Sequence, residues 1–192
     1  MFYWVANRTS WDNVWITEHP EWYEHKADGS IAWPTKDGEW KDVAQLDYSQ
    51  KVLWEAMEDA LEYWVKEVVI DGYRCDYAHG VRDDFWKEAI GRLKELKTGF
   101  LMLAESDFER MFDDGFDIIF DRAMKRQMIS LVGGGSLSNF ANWYKGDQDK
   151  APAPKTKLYF ITNHDDATKD TPAKQFKSLE GGLAAYVLMA GL

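Results

Sequence analysis

The chain has 192 residues and a formal net charge of -10, with 33 acidic side chains against 23 basic ones. Its 45% apolar and 29% charged content belongs to a folded domain and excludes wholesale disorder. The acidic balance argues against a nucleic-acid partner, no apolar run nears the ~20 residues of a membrane span, and the single cysteine, Cys75, excludes an intrachain disulfide.

In chain order, residues 1–6 read as a buried strand, Met-Phe-Tyr-Trp-Val-Ala, with neither the basic lead nor the apolar length of a signal peptide. Residues 8–49 hold few periodic apolar stretches and many turn formers, among them Asp28-Gly29, Pro34 and Asp37-Gly38, with Trp11, Trp15, Trp22, Trp33 and Trp40 scattered through. A loop this long is uncommon unless functional. The spacing of Val52, Leu53, Ala56, Ala60, Leu61, Trp64, Val65 and Val68 predicts a helix over 50–68. A short strand over 72–77 follows, then a helix over 83–96 with Phe85, Trp86, Ala89, Ile90 and Leu93 on one face. Residues 99–105 form an apolar run that ends in a carboxylate, and 116–120 is another short strand. Helices are expected over 123–132 and 137–144, separated by Gly133-Gly134-Gly135, and a polar loop over 145–157. A strand over 158–162 runs into Asn163-His164-Asp165-Asp166, and a last helix spans 172–190. Both ends are apolar, which suggests a piece of a larger domain.

Strands alternate with helices, and the strands are continuous and apolar. That pattern predicts an α/β fold with a parallel sheet covered on both faces. A doubly wound nucleotide-binding sheet needs a glycine-rich turn after a strand, and neither G-x-G-x-x-G nor G-x-x-x-x-G-K-[ST] is present. A (β/α)8 barrel predicts polar residues at the C-terminal strand ends, where this chain has Arg74 and Asp76, Glu105, and Asn163, His164 and Asp165. Residues two apart in a strand share a side, so Arg74 and Asp76 project together, as do Asn163 and Asp165. Asp76, Glu105 and Asp165 then form one acidic mouth. Arg74 would hold Asp76 ionised, while the neighbouring carboxylates would raise the proton affinity of Glu105. One ionised and one protonated carboxyl group is the apparatus of glycosidic bond cleavage. A divalent cation site is the alternative use of three carboxylates, with Arg74 competing against the cation.

Four segments carry a resemblance to the α-amylase superfamily, glycoside hydrolase family 13. Residues 72–79, Gly-Tyr-Arg-Cys-Asp-Tyr-Ala-His, look like its second signature region. Leu103-Ala104-Glu105 resembles the third, residues 160–165 the fourth, and Trp4-Val5-Ala6-Asn7 the first. The resemblance implies a single, incomplete catalytic barrel over 1–192, covering barrel strands three to seven, with 8–49 as the excursion called domain B. It implies Asp76 as nucleophile, Glu105 as general acid/base and Asp165 as the carboxylate that holds and distorts the reacting sugar. Arg74 would fix Asp76, and His164 and His79 would contact sugar hydroxyls. The substrate would be an α-glucan or malto-oligosaccharide, cleaved with retention, with no cofactor in the chemistry and a structural calcium at Asn7. The chain departs from the pattern where Tyr3 replaces an aspartate and Arg8 a histidine. The alternative function is a catalytically incomplete fragment or a sugar-binding remnant.

Overall fold

Strand β1 is Phe2–Val5, and it pairs in parallel with β4, Gly72–Asp76, so that Tyr3 lies opposite Arg74 and Val5 opposite Asp76. Strand β4 pairs in parallel with β5, Leu101–Ala104. Gly72 is required there: a Cβ would sit 2.3 Å from the Leu101 carbonyl oxygen. The computed structural model describes residues 1–34 and 39–192, so the Asp37-Gly38 turn read from the sequence lies outside the described residues. The chain divides into two compact units, Met1–Ser106 with Asp113–Asp117, and Asp107–Phe112 with Ile118–Leu192.

In the first unit the excursion after β1 contains a short antiparallel pair, β2 (Arg8–Ser10) with β3 (Val43–Gln45), and a one-turn helix α1, Trp15–Glu18. Among the described residues of the excursion few are buried, chiefly Trp22, Tyr23, Ala44, Leu46 and Tyr48. The Tyr48 hydroxyl anchors it by donating to the Ala6 carbonyl at 2.7 Å. Helix α2, Lys51–Val68, buries Leu53, Trp54, Met57, Leu61 and Val65. Its buried stripe is rotated from the expected one: Val52, Trp64 and Val68 are exposed. The Tyr73 hydroxyl donates to the Leu61 carbonyl at 2.8 Å and ties β4 to this helix. Helix α3, Asp83–Leu96, buries the five residues expected of it, Phe85, Trp86, Ala89, Ile90 and Leu93. Cys75 is fully buried, on the opposite side of β4 from Arg74 and Asp76 by strand alternation. The outer end of β1 is open: Phe2 and Tyr3 are exposed, so this strand is only half covered.

In the second unit α4 (Arg110–Asp113) is a single turn at the boundary, and β6, Ile118–Phe120, pairs in parallel with β7, Thr156–Leu158. The last strand therefore ends where the sequence expects it to begin. Its partner stops after Phe120: the Asp121 N–H makes the last bond to β7, to the Leu158 carbonyl at 3.1 Å, and the Asp121 side chain caps the next helix, accepting from the Met124 N–H at 2.8 Å. Helices α5 (Arg122–Val132) and α6 (Leu137–Gln148) flank the glycine run, and Ser136 caps the second of them. The expected final helix is two. Helix α8, Pro172–Gln175, ends before Lys177, whose positive φ of 64° breaks the helical path, and Ser178 then caps α9, Leu179–Ala190. Met124, Met128, Phe140, Phe176, Ala185 and Met189 form this unit's core.

The chain is thus α/β, with parallel strands separated in sequence by helices, the arrangement that part of a (β/α)8 barrel requires.

Candidate active site

The end of β4 and the end of β5 bring Arg74, Asp76 and Glu105 together. Asp76 and Glu105 are 6% and 7% exposed, and a buried charge survives only if paired. One guanidinium serves both: Arg74 Nη1 donates to Asp76 Oδ1 at 2.6 Å, and Nη2 lies 2.9 Å from Glu105 Oε1. The sequence-based pairing of Arg74 with Asp76 is realised.

Two further donors reach Asp76 from outside its strand. The Tyr3 hydroxyl donates to Oδ1, and Arg8 Nη2 donates to Oδ2 at 2.7 Å. Neither partner was foreseen, although the signal was there. In the parallel register Tyr3 faces Arg74, and Tyr3 and Arg8 are the two places where the first motif departs from the superfamily pattern.

The turn after Asp76 is constrained. Tyr77 has a positive φ of 45°, in the left-handed region that non-glycine residues seldom occupy. That turn points the Tyr77 N–H at Glu105 Oε2, 3.1 Å away. Gly80 permits it, since a Cβ there would lie 2.3 Å from the Tyr77 ring. Trp86, fully buried in α3, holds the same turn through Nε1, which donates to the Ala78 carbonyl at 2.9 Å. The His79 ring packs against Tyr77 with centroids 4.3 Å apart, and Trp40 meets Tyr77 edge-on at 5.1 Å.

The two carboxyl groups are driven apart in proton affinity. Burial alone would raise Asp76, but the hydrogen bonds from Tyr3, Arg74 and Arg8 outweigh it and hold the group down to about 2. Glu105 is raised, first by burial and then by Asp76 beside it, against the lowering effects of the Tyr77 N–H and Arg74. Burial and Asp76 likewise push the Tyr3 phenol up to about 12, so it stays a donor. This is the order expected from the sequence, with burial the leading cause on Glu105 and two added donors on Asp76.

Asp165 and His164 belong to the second unit and do not sit on a strand. Asn163 caps the one-turn helix α7, His164–Ala167, by accepting from the Asp166 N–H at 2.9 Å. The alternation that would have set Asn163 beside Asp165 is therefore broken. The Asp165 and His164 side chains are 58% and 65% exposed, 3.4 Å apart. Asn7 is fully buried, but its Oδ1 accepts from Arg8 Nη1 at 2.7 Å. An oxygen turned to a guanidinium does not fit a calcium ligand, and among the described residues no group of three or more His, Cys, Asp or Glu is placed to hold a metal ion. Of the five tryptophans in the excursion only Trp22 is buried, and Trp40 is the one beside site residues. Among the described residues no helix is long and apolar enough to cross a membrane.

No known protein-family profile matches the chain. It is 26% identical over 155 residues to the α-amylase MalA of Haloarcula japonica, a match covering 78% of this chain and 22% of that protein. It is 30% identical over 106 residues to an α-1,4-glucan:maltose-1-phosphate maltosyltransferase of Myxococcus xanthus, covering 53% of this chain and 16% of that one. The crystal structure of the maltogenic α-amylase AmyB of Thermotoga neapolitana superposes with a TM-score of 0.73 at 31% identity, covering 85% of this chain and 38% of that chain. The chain thus spans about a fifth of the length of the curated relatives it matches.

Proposed function

The chain carries part of an α-amylase superfamily domain, and we propose that it supplies the retaining catalytic pair of a glycosidase acting on α-glucosidic bonds in starch-like or malto-oligosaccharide substrates. The observation that carries the proposal is the Arg74 bridge, with Asp76 held below the usual carboxylate range on one arm and Glu105 raised above its ordinary value on the other. Asp76 would attack the anomeric carbon while Glu105 gives its proton to the leaving oxygen. Glu105, now ionised, would then take a proton from water as that water displaces Asp76. Inverting enzymes hold their carboxyl groups far enough apart to admit a water, whereas here one guanidinium spans both, which supports the shorter retaining spacing.

Asp165 would complete the site by holding the reacting sugar, with His164 and His79 on sugar hydroxyls. Trp40 would offer an aromatic face near the cleavage point. Residues 8–49 would act as domain B of a single catalytic barrel. A structural calcium at Asn7 requires Arg8 to release its oxygen.

Release of nitrophenol from a nitrophenyl malto-oligosaccharide by the purified chain, with the α-anomer as first product by NMR, tests the proposal. A sugar-binding remnant without turnover is the second reading, favoured by the exposed Asp165. Binding of maltotriose without release of nitrophenol selects it.

A further inference from the structure

Arg8 stands where the superfamily motif has a histidine, and its surroundings hold it in one place. Nη2 donates to Asp76 Oδ2 and Nη1 to the Oδ1 of buried Asn7, both at 2.7 Å. Its guanidinium carbon lies 4.6 Å from the centre of the Trp40 ring. Two side-chain acceptors and an aromatic face immobilise a planar guanidinium, and this side chain is 19% exposed. We propose that Arg8 is a positioning residue for the glycosyl-transfer step: it orients the Asp76 carboxylate with Oδ2 toward the anomeric carbon, and it opposes accumulation of the covalent glycosyl-enzyme. The inference rests on Asp76 being the nucleophile.

A carboxylate offers about four acceptor sites. Tyr3 and Arg74 donate to Oδ1, and Arg8 donates to Oδ2. Attack forms a bond from Oδ2 to the anomeric carbon and breaks the bond to the glycosidic oxygen, which leaves with the proton of Glu105. Oδ2 is then a neutral ester oxygen and a weaker acceptor, so its bond from Arg8 loses the charge-assisted strength it had with the carboxylate. Water attacks the anomeric carbon, giving its proton to Glu105, the bond to Oδ2 breaks, and the carboxylate recovers Arg8. The pairing therefore favours the carboxylate over the ester, slowing the first step and speeding the second. Among the described residues the other titratable or charged groups facing Asp76 are Tyr3 from β1, Arg74 from β4 and Glu105 after β5, and all three are kept when Arg8 is replaced.

Two measurements test this on the full chain. The first follows the Asp76 carboxyl by 13C NMR in aspartate-labelled protein, the signal being assigned by its loss in Asp76→Asn. The titration midpoint should rise by about one pH unit or more in Arg8→Met and by less in Arg8→Lys, which keeps the charge but loses the fork. An unchanged midpoint in a cooperatively folded Arg8→Met chain overturns the proposal. If Arg8→Met does not fold, Arg8→Lys against wild type carries the same comparison. The second measures nitrophenol release from a nitrophenyl maltoside in the first turnover. Arg8→Met should show a larger burst than wild type, because the ester now builds up. Equal bursts overturn the kinetic half of the proposal. No release from either chain overturns the glycosidase reading itself, while the titration still decides whether Arg8 holds the carboxylate.

Discussion

Arg74→Met removes a charge and keeps a stem of similar length, so it tests how far one guanidinium supports the site. The wild-type side chain is 11% exposed and makes ion pairs of 2.6 Å to Asp76 and 2.9 Å to Glu105. Breaking a buried pair by removing one partner costs about 3–5 kcal/mol when the other charge is stranded. Here the stranding is partial. Asp76 keeps Arg8 at 2.7 Å and the Tyr3 hydroxyl, and Glu105, already raised, can take a proton. The expected loss at pH 7.5 is therefore about 2–3 kcal/mol. Its pH dependence has a definite sign. Without Arg74 both carboxyl groups bind protons more tightly in the folded state, so the variant gains stability relative to wild type as pH falls. The gap should narrow by about 1 kcal/mol by pH 5, the equivalent of roughly one unit in one carboxyl group. Urea unfolding followed by circular dichroism at both pH values measures it, provided the m-values agree. A loss below about 0.5 kcal/mol would place the bridge with exposed ion pairs, and a gap that widens in acid would refute the assigned electrostatics.

Glu105→Gln should lower turnover of a nitrophenyl malto-oligosaccharide by at least about 100-fold while leaving a cooperative thermal transition; near-normal turnover would remove Glu105 from the acid/base role. Trp86→Ala should cost about 3–5 kcal/mol in urea unfolding, since the side chain is fully buried and its Nε1 bonds the Ala78 carbonyl; Trp86→Phe should cost less but still expose the orphaned carbonyl, and a loss under 1 kcal/mol in the alanine variant would refute the packing account. Calcium in millimolar excess should leave the Tm where it is, because Asn7 Oδ1 is engaged by Arg8; a calcium-dependent rise in Tm that persists in Asn7→Ala would point to ligands elsewhere, and one abolished by it would restore Asn7 as a ligand.

The core of the site was legible because strand alternation is a two-residue rule. An apolar run ending Arg74-Cys75-Asp76 commits its two charged residues to one side, and the 2.6 Å ion pair follows. Helix α3 was equally plain, since all five residues of its apolar stripe are buried. Tyr3 and Arg8 escaped because they lie 73 and 68 positions from Asp76, and only the parallel pairing of β1 with β4 joins them. The fourth motif was misplaced for a local reason. Asparagine before two acidic residues reads as the end of a strand or the cap of a helix, and the cap won at Asn163. The stripe of α2 was rotated because an apolar residue is not thereby a buried one: Trp64 packs in the open against Phe2 and Tyr63.

Cys75, the single thiol of the chain, separates Arg74 from Asp76 and faces the other way, fully enclosed. Burial raises its proton affinity well above that of a free thiol, so a disulfide reagent meets neither an accessible sulfur nor a thiolate. Modification then requires β4 to leave its neighbours. The rate of thiol labelling, measured against urea concentration, reads the free energy of local opening at the strand that carries Asp76, without any substitution. Where that free energy matches the global value, β4 opens only when the whole unit unfolds; where it falls short, β4 has a private route to exposure.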